Sequence, residues 1–361
     1  MKILHVYPNH DTLIARHVNM LAEGLRQSSD IRVADNGNAF RQLLNEQKPD
    51  IVHCHGCRNY AIARAVSRAR QQGVRIVITL HGQLEPWVAK QDATQEKINK
   101  ALMWQKSFVA NAYAVITLGR LEKANFVALS WSHRVEEIHN AVTTNTITPA
   151  EMCTRTFQIY QKIQDSNTLE QLDENSRQAF AVILKASILG DRQWVAPELR
   201  AALSPHKIDW RRLFVYAEHE NIRNYIDYGT HILGLPTPLL DTSQITSYFP
   251  DQYERPRPIK ELIGDYQGNE TDYLLRIFRQ IHRQPLLLHL IELTSELYRD
   301  AIDDEQITEA LADRKLQDFA ESLMQVLKEQ TLLDEGFMPV NAVDNRQTRQ
   351  IRKLLTNHLK I

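Results

Sequence analysis

The chain has 361 residues, 43% of them hydrophobic and 24% charged, and its 43 Lys and Arg nearly balance 44 Asp and Glu, leaving a net charge of -1. This length suits about two domains, and the charge balance excludes a global field that would attract nucleic acid or an anionic membrane. No apolar run approaches the roughly 20 residues that span a bilayer, so no transmembrane helix is expected, although peripheral contact with a membrane stays open.

The start of the chain and its cysteines bear on the compartment. The first eight residues, MKILHVYP, are a short apolar run ending in Pro8, which favours an opening β-strand over a secretory signal. Only three cysteines are present, Cys54, Cys57 and Cys153. This odd and sparse set argues against a disulfide framework, and we expect a cytoplasmic protein.

The first 145 residues alternate β-rich runs with amphipathic helical patterns, which is typical of βαβ units in a parallel sheet. The predicted strands are Lys2–Tyr7, Ile31–Ala34, Asp50–Cys54, Val74–Leu80, Tyr113–Leu118 and Val135–His139. The predicted helices are Ala15–Gln27, Ala39–Gln47, Asn59–Gln72, Thr94–Asn111 and Arg120–Leu129. Residues 1–145 are therefore predicted to form a doubly wound, Rossmann-like α/β domain, whose ligands would bind beyond the carboxyl ends of the strands.

Residues 146–361 have helical periodicity and no β-rich run of comparable quality. A helix is predicted to begin after the Thr148 cap, and later ones at Arg177–Leu189, Trp210–Leu233, Thr271–Ile281, Leu286–Asp300, Gln306–Leu332 and Arg346–His358. We therefore predict a mainly α-helical C-terminal domain, which is a candidate surface for a protein partner.

Four segments on the predicted strands resemble, in the same order, segments of the family 4 glycosyltransferases. They are KPDIVHCHG at 48–56, VRIVITLHGQLEPW at 74–87, AVITLGRLEKANF at 114–126 and EEIHNAV at 136–142. The resemblance implies the N-terminal half of a two-domain enzyme of the GT-B type. Such an enzyme moves a sugar from a nucleotide-sugar donor to a glycan or lipid-linked acceptor in surface polysaccharide synthesis, retains the anomeric configuration, and needs neither a metal nor another cofactor.

The His-Gly step after the fourth strand is the first candidate for function. In the family this histidine lies beside the donor sugar, so the resemblance implies a catalytic role for His81. Gly82 would let the backbone approach the ligand because it has no Cβ. Glu85, Trp87 and Lys90 follow on the same loop and could line an acceptor pocket, although Trp87 could equally pack the loop onto the sheet.

Other candidates follow the neighbouring strands. We expect only one of His53 and His55 to face the cleft, and the family pattern favours His55. Glu122 could orient its loop or be a solvated first-turn glutamate, and Asn140 could contact substrate or simply make a turn. The motif HCHGC at 53–57 has the spacing of a zinc half-site, but no second Cys or His pair matches it, so thiols packed at a strand end are the favoured interpretation.

Two features depart from the family pattern. Residues 8–12, PNHDT, stand where the family has glycines that let a helix start approach the donor phosphate. Arg16, with His17, could supply positive charge in partial replacement. The second departure is the helical C-terminal half, which lacks the family's nucleotide-binding pattern. A module that recognises a glycan or partners an active transferase is therefore an alternative, and a different α/β enzyme acting on a phosphorylated small molecule is a third.

Overall fold

The computed structural model describes residues 1–9, 11–86, 95–240, 245–264, 268–299 and 303–361, and for residues 95–102 it describes the backbone alone. By internal contacts the chain divides into an N-terminal unit and a C-terminal unit. The N-terminal unit comprises residues 1–166, 246–248 and 361. The C-terminal unit comprises residues 167–245 and 249–360.

The N-terminal unit contains a six-stranded parallel sheet, as the alternating pattern predicts. Its strands are β1 (Lys2–Val6), β2 (Asp30–Ala34), β3 (Ile51–His55), β4 (Arg75–Thr79), β5 (Ala114–Thr117) and β6 (Val135–Glu137). They lie in the order β2-β1-β3-β4-β5-β6, and every neighbouring pair is parallel. The order reverses between β1 and β3, which makes the carboxyl ends of these two strands the topological switch point where such sheets bind ligands.

Helices connect the strands and cover both faces of the sheet. They are α1 (Thr12–Leu25), α2 (Gly37–Glu46), α3 (Tyr60–Gln71), α4 (Gln95–Ala110), α5 (Arg120–Ala128) and α6 (Pro149–Gln164). Even-numbered strand residues such as Leu4 and Val52 share a core with side chains of α2, α3, α4 and α5. Odd-numbered residues such as Ile3 and Ile51 share a second core with α1 and α6. Both faces of the sheet are therefore buried, as expected for a parallel sheet.

The last helix of the N-terminal unit lies beyond the boundary predicted at residue 145. Met152, Tyr160 and Ile163 of α6 belong to the same core as Ile3 and Ile51. The unit thus extends to residue 166. Periodicity in α6 shows which of its faces is apolar, but it cannot show which core that face enters.

The C-terminal unit is built from helices, and no strand is assigned within its described residues. Its helices are α7 (Thr168–Gln171), α8 (Glu174–Leu189), α9 (Pro197–Ala202), α10 (Trp210–His219), α11 (Arg223–Leu233), α12 (Ile259–Ile263), α13 (Glu270–Arg283), α14 (Leu287–Leu297), α15 (Asp304–Asp313), α16 (Gln317–Gln330) and α17 (Arg346–Asn357). Short 3₁₀ turns lie at Arg192–Trp194, Pro205–Lys207 and Glu335–Phe337. The prediction of a mainly helical C-terminal half is confirmed.

Two helices predicted as continuous are each divided into two. The predicted helix Trp210–Leu233 becomes α10 and α11, and Asn221 between them has a left-handed backbone with φ of 57°. The predicted helix Gln306–Leu332 becomes α15 and α16, with Lys315 at φ 57°. The continuous predictions were wrong: neither break carries a glycine or proline, but Asn221 is a residue type that tolerates the left-handed backbone at a helix end.

Candidate functional site

The carboxyl ends of β1, β3 and β4 and the nearby face of α1 bring together five histidines. They are His5, His17, His53, His55 and His81. The first four side chains are buried, with exposed fractions of 3% or less, and the fifth is partly exposed. This histidine cluster lies at the switch point of the sheet, where the fold directs ligands.

The register of the sheet explains three members of the cluster. His5 on β1 is the direct neighbour of His53 on β3, and His55 follows two residues later. Side chains two residues apart on a strand point to the same face. The rings of His53 and His55 accordingly stack with centroids 4.1 Å apart. Our expectation that only one of them would face this side of the sheet was therefore wrong.

His53 is held on both of its ring nitrogens by hydroxyl groups. Its Nδ1 lies 2.6 Å from the Tyr160 hydroxyl, and its Nε2 lies 2.7 Å from Thr79 Oγ1. One of these hydroxyls must donate and the other accept, because a neutral imidazole has one N–H and one lone pair. These two bonds satisfy His53 within the protein, as a buried polar side chain requires.

His55 connects the buried part of the cluster to His81. His55 Nε2 lies 2.9 Å from His5 Nδ1, and His55 Nδ1 lies 3.2 Å from His81 Nε2. The His5–His55–His81 row therefore runs from the interior of the sheet to the partly exposed loop after β4. His81 and His55, which the sequence selected as candidates, are brought into contact.

His17 enters the cluster from α1 and is oriented by Asn140. Its Nδ1 lies 3.0 Å from Asn140 Oδ1, and the same oxygen accepts the backbone N–H of Val142 at 3.0 Å. The Asn140 carbonyl also accepts the N–H of Thr143, so this residue makes a turn as well. Asn140 therefore shapes the site by holding His17. In this arrangement it contacts a protein side chain, and its carboxamide is buried.

Burial keeps the imidazoles of the cluster uncharged near neutral pH. It lowers the pKa of His5 to about 3, and with the neighbouring histidines it lowers the pKa of His53 and His55 well below the ordinary value. Burial also lowers the pKa of His17, against the opposing effect of the hydrogen bond to Asn140. Desolvation thus disfavours the charged form in which His17 was expected to face a phosphate.

The His81–Gly82 step has an unusual backbone that Glu122 fixes from the next loop. His81 has φ of 54° and Gly82 has φ of 72°, so both lie in the left-handed region. Non-glycine residues rarely adopt it, and such strain concentrates at functional sites. The Glu122 carboxylate accepts the backbone N–H of Gly82 and, at 2.6 Å, that of Leu118. Glu122 is buried, so of the two interpretations the loop-orienting one describes its geometry.

Further contacts fix the loops around this step. Gln83 Oε1 accepts the backbone N–H groups of Cys57 and Arg58 at 2.7 and 3.0 Å, which ties the loop after β3 to the loop after β4. Glu85 is buried and accepts a hydrogen bond from the Asn125 amide. The space that a Cβ on Gly82 would occupy is free of other atoms within 4 Å.

The cysteines of HCHGC lie apart from the histidine cluster. Cys54 and Cys57 belong to the core that contains Leu4 and Val52. This core lies on the face of the sheet opposite His53 and His55. Burial raises the pKa of the Cys57 thiol to about 12, with Glu122 adding to the effect, and it raises the pKa of Cys54 further. In the part of the chain that the structure describes, the groups able to hold a metal consist of histidines alone.

The remaining candidates are placed less centrally. The Arg16 side chain is exposed on α1, next to the buried His17. Trp87 and Lys90 lie outside the described residues. Sequence reasoning did not select His5 for the site, and it selected His17 only for its charge. For His17 the available signal was its position on the buried stripe of α1 with Ile14, Val18 and Leu21, whereas His5 joins the site through strand pairing with His53.

The described fold is a Rossmann-like domain, and its candidate ligand site lies at the switch point of its parallel sheet. Residues 15–141 match the family model described as a glycosyl transferase 4-like domain. The N-terminal unit is thus a family 4-type glycosyltransferase domain, and the class of enzyme that this domain defines is a transferase. No curated protein sequence and no solved structure matches the chain. Among its described helices, none is both long and apolar enough to cross a membrane.

Proposed function

We propose that this chain is a glycosyltransferase that moves a sugar from a nucleotide-sugar donor to a glycan or lipid-linked acceptor in surface polysaccharide synthesis. The observation that carries the proposal is the position of His81. It stands at the switch-point edge, in a left-handed backbone held by Glu122, in contact with His55 and partly exposed. A family 4-type domain presents its His-Gly step to the donor sugar at this edge.

The chemistry of transfer is compatible with an uncharged His81. Burial and the neighbouring His17 lower its pKa well below the ordinary value. Its Nε2 is in contact with His55 Nδ1, which leaves Nδ1 of the neutral imidazole to donate to or accept from a sugar hydroxyl. The open space beside Gly82 would let the donor approach the backbone at the next residue. Groups fixed in advance in this way orient a reacting sugar without having to reorganise during the reaction.

The acceptor side of the proposal rests on the loop after β4. Glu85 lies on that loop, after the His81–Gly82 step, and its carboxylate is buried against Asn125, which would anchor the first part of an acceptor pocket. Arg16 is exposed on α1 and could contact the donor diphosphate. We place the reaction in the cytoplasm, since all three cysteines are free, as a reducing compartment would keep them.

A specific observation favours a second candidate, a module that binds a glycan or partners an active transferase. The first turn of α1, where a donor phosphate would approach, is already capped by Asp11, which accepts the N–H groups of Leu13 and Ile14 at 3.1 and 3.0 Å. A carboxylate in this position opposes a diphosphate. The C-terminal unit is helical throughout its described part, so a second nucleotide-binding sheet does not stand there to compensate.

Thermal unfolding with nucleotides separates the two candidates. Uridine, guanosine and adenosine diphosphates are each added to the full chain, and a diphosphate present at 100 times its Kd would stabilise the native state by about 2.7 kcal/mol. The transferase proposal predicts a rise in Tm with one of them and sugar transfer that is lost in His81→Ala. Because alanine disfavours a left-handed backbone, His81→Asn serves as a second variant that fits φ of 54°. Absence of stabilisation by all three would favour the binding module.

A further inference from the structure

Three members of the histidine cluster surround a common point. The ring centroids of His17, His55 and His81 are separated by 5.0, 5.4 and 5.5 Å, so the three rings form a nearly equilateral triangle. One nitrogen from each ring lies within 4.8 Å of one nitrogen from each of the others. A tetrahedral zinc ion bound at about 2.0–2.1 Å separates its nitrogen ligands by roughly 3.3 Å. His55 Nδ1 and His81 Nε2 are already 3.2 Å apart.

The tautomer of His17 follows from its partner. Asn140 Oδ1 accepts the N–H of Val142, which identifies this atom as the oxygen of the carboxamide. An oxygen without a proton can only accept, so His17 Nδ1 must donate to it. The lone pair of His17 therefore lies on Nε2. A histidine whose other N–H donates to a carbonyl oxygen is the usual form of a metal ligand, because that bond fixes the ring and increases its basicity.

His55 can adopt the equivalent arrangement. When its Nε2 donates to His5 Nδ1 at 2.9 Å, its Nδ1 keeps a lone pair directed at His81 Nε2. Without a metal, His81 Nε2–H can donate to this lone pair at 3.2 Å; in the other tautomer of His81, lone pairs of both rings are directed at the space where a cation would bind. His5 Nδ1 would then accept a hydrogen bond from His55, just as Asn140 Oδ1 accepts one from His17. Each acceptor would orient the ring of a metal-binding histidine.

The other possible trio in the cluster is less suitable. His5, His53 and His55 also bring nitrogens within 4.8 Å, but both nitrogens of His53 are occupied by the hydroxyls of Tyr160 and Thr79 at 2.6 and 2.7 Å. Binding a metal would cost His53 one of these bonds in a fully buried position. His81, by contrast, is partly exposed, so an ion held by it could keep a coordination position open to a ligand.

From this geometry we infer that His17, His55 and His81 form a three-histidine site for a divalent transition-metal ion of the zinc class, with Asn140 and His5 as outer-shell partners. Neutral imidazole suits zinc, cobalt, nickel and copper, and three protein ligands leave a fourth position for water or a substrate oxygen. At the switch point that position would face an incoming anionic ligand. The inference does not depend on the proposed transfer reaction, because metal binding can be measured without substrate.

The test uses the full chain, stripped with a chelator and equilibrated with Zn²⁺ at pH 7.5. Bound metal is counted by atomic emission, and affinity is measured by competition with a chromophoric chelator. We expect about one equivalent, a loss of affinity of roughly 100-fold or more in His17→Ala, His55→Ala and His81→Ala, and a loss of roughly 10- to 100-fold in Asn140→Ala. His133→Ala, which removes an exposed histidine on the same unit, should bind zinc like the unmodified chain.

Circular dichroism checks that each variant is folded. Where buried variants fail to fold, the absorption spectrum of Co²⁺ bound to the unmodified chain identifies the ligands. Four-coordinate cobalt with nitrogen ligands gives visible bands and lacks the near-ultraviolet band of a thiolate ligand. Binding well below one equivalent, a thiolate band, or unchanged affinity in folded His17→Ala and His55→Ala would overturn the site. Zinc binding without stabilisation by any nucleoside diphosphate would uphold the site and count against the transferase.

Discussion

Glu122 offers a direct test of how the loops at the candidate site are held. Its carboxylate accepts the backbone N–H groups of Gly82 and Leu118, so Glu122→Ala leaves both without this partner. Each unsatisfied buried group costs about 1–3 kcal/mol, so the two together predict a loss of roughly 2–6 kcal/mol in the free energy of unfolding. Glu122→Gln keeps one acceptor oxygen, and we expect a loss of about 1–3 kcal/mol.

The measurement is urea-induced unfolding, combined with hydrogen exchange of peptides that contain Gly82 and Leu118. Exchange of both amides should speed up in Glu122→Ala, whereas in Glu122→Gln it should speed up mainly for the amide that then faces the NH₂ group, because one acceptor oxygen remains. Glu151→Gln is the matched control, since Glu151 also lies in a first helical turn but is exposed and paired with Arg155 at 2.8 Å, a pair worth about 0.3–0.5 kcal/mol. A Glu122→Ala variant no less stable than this control would refute the reasoning.

Two further predictions concern the C-terminal unit. A Cβ on Gly229 of α11 would lie 2.1 Å from the carbonyl oxygen of Ile183, so Gly229→Ala should lower the unfolding free energy by about 1–3 kcal/mol despite alanine's better helix propensity. Gly37→Ala, which meets no atom closer than 4.0 Å, is the control, and equal urea midpoints for the two would contradict this packing. His358 is partly buried, which alone would lower its pKa, but its contact with Glu220 at 3.1 Å and its hydrogen bond to the Leu355 carbonyl together raise that pKa. The resulting stabilisation should be complete below the ordinary value of 6.5 and disappear as the pH rises through the raised pKa, and Glu220→Gln should remove that dependence from unfolding curves measured at several pH values.

The sequence was informative about the N-terminal sheet because its signals are local. Each strand is a short apolar run between turn residues, and all six predicted strands are present with ends shifted by one or two residues. The His-Gly step and the family segments were readable for the same reason. The choice of His81, His55, Glu122 and Asn140 combined their positions after the strand ends with the family resemblance, and the structure brings these four residues to one edge of the sheet. Their roles toward a substrate remain predictions.

Other features could not be read locally. The break at Lys315 carries no glycine, proline or asparagine, so no local signal marks it, whereas Asn221 is a residue type that tolerates the left-handed backbone at a helix end. Similarly, the apolar face of α6 could have belonged to either unit, and its place on the sheet became clear only from the core that it shares with Ile3 and Ile51.

By itself, the sequence determined the succession of strands and helices along the chain, the helical character of the second half and the presence of polar residues at the strand ends. These properties depend on periods of two and 3.6 residues and on neighbouring turn residues. Tertiary structure alone decided that His5 and His17 join His55 and His81, since residues from β1, α1, β3 and β4 meet only when the sheet assumes its order and α1 packs on one face. The physical reason is that ring contacts of 5 Å between residues far apart in the chain are set by strand pairing and helix packing, which no local pattern records.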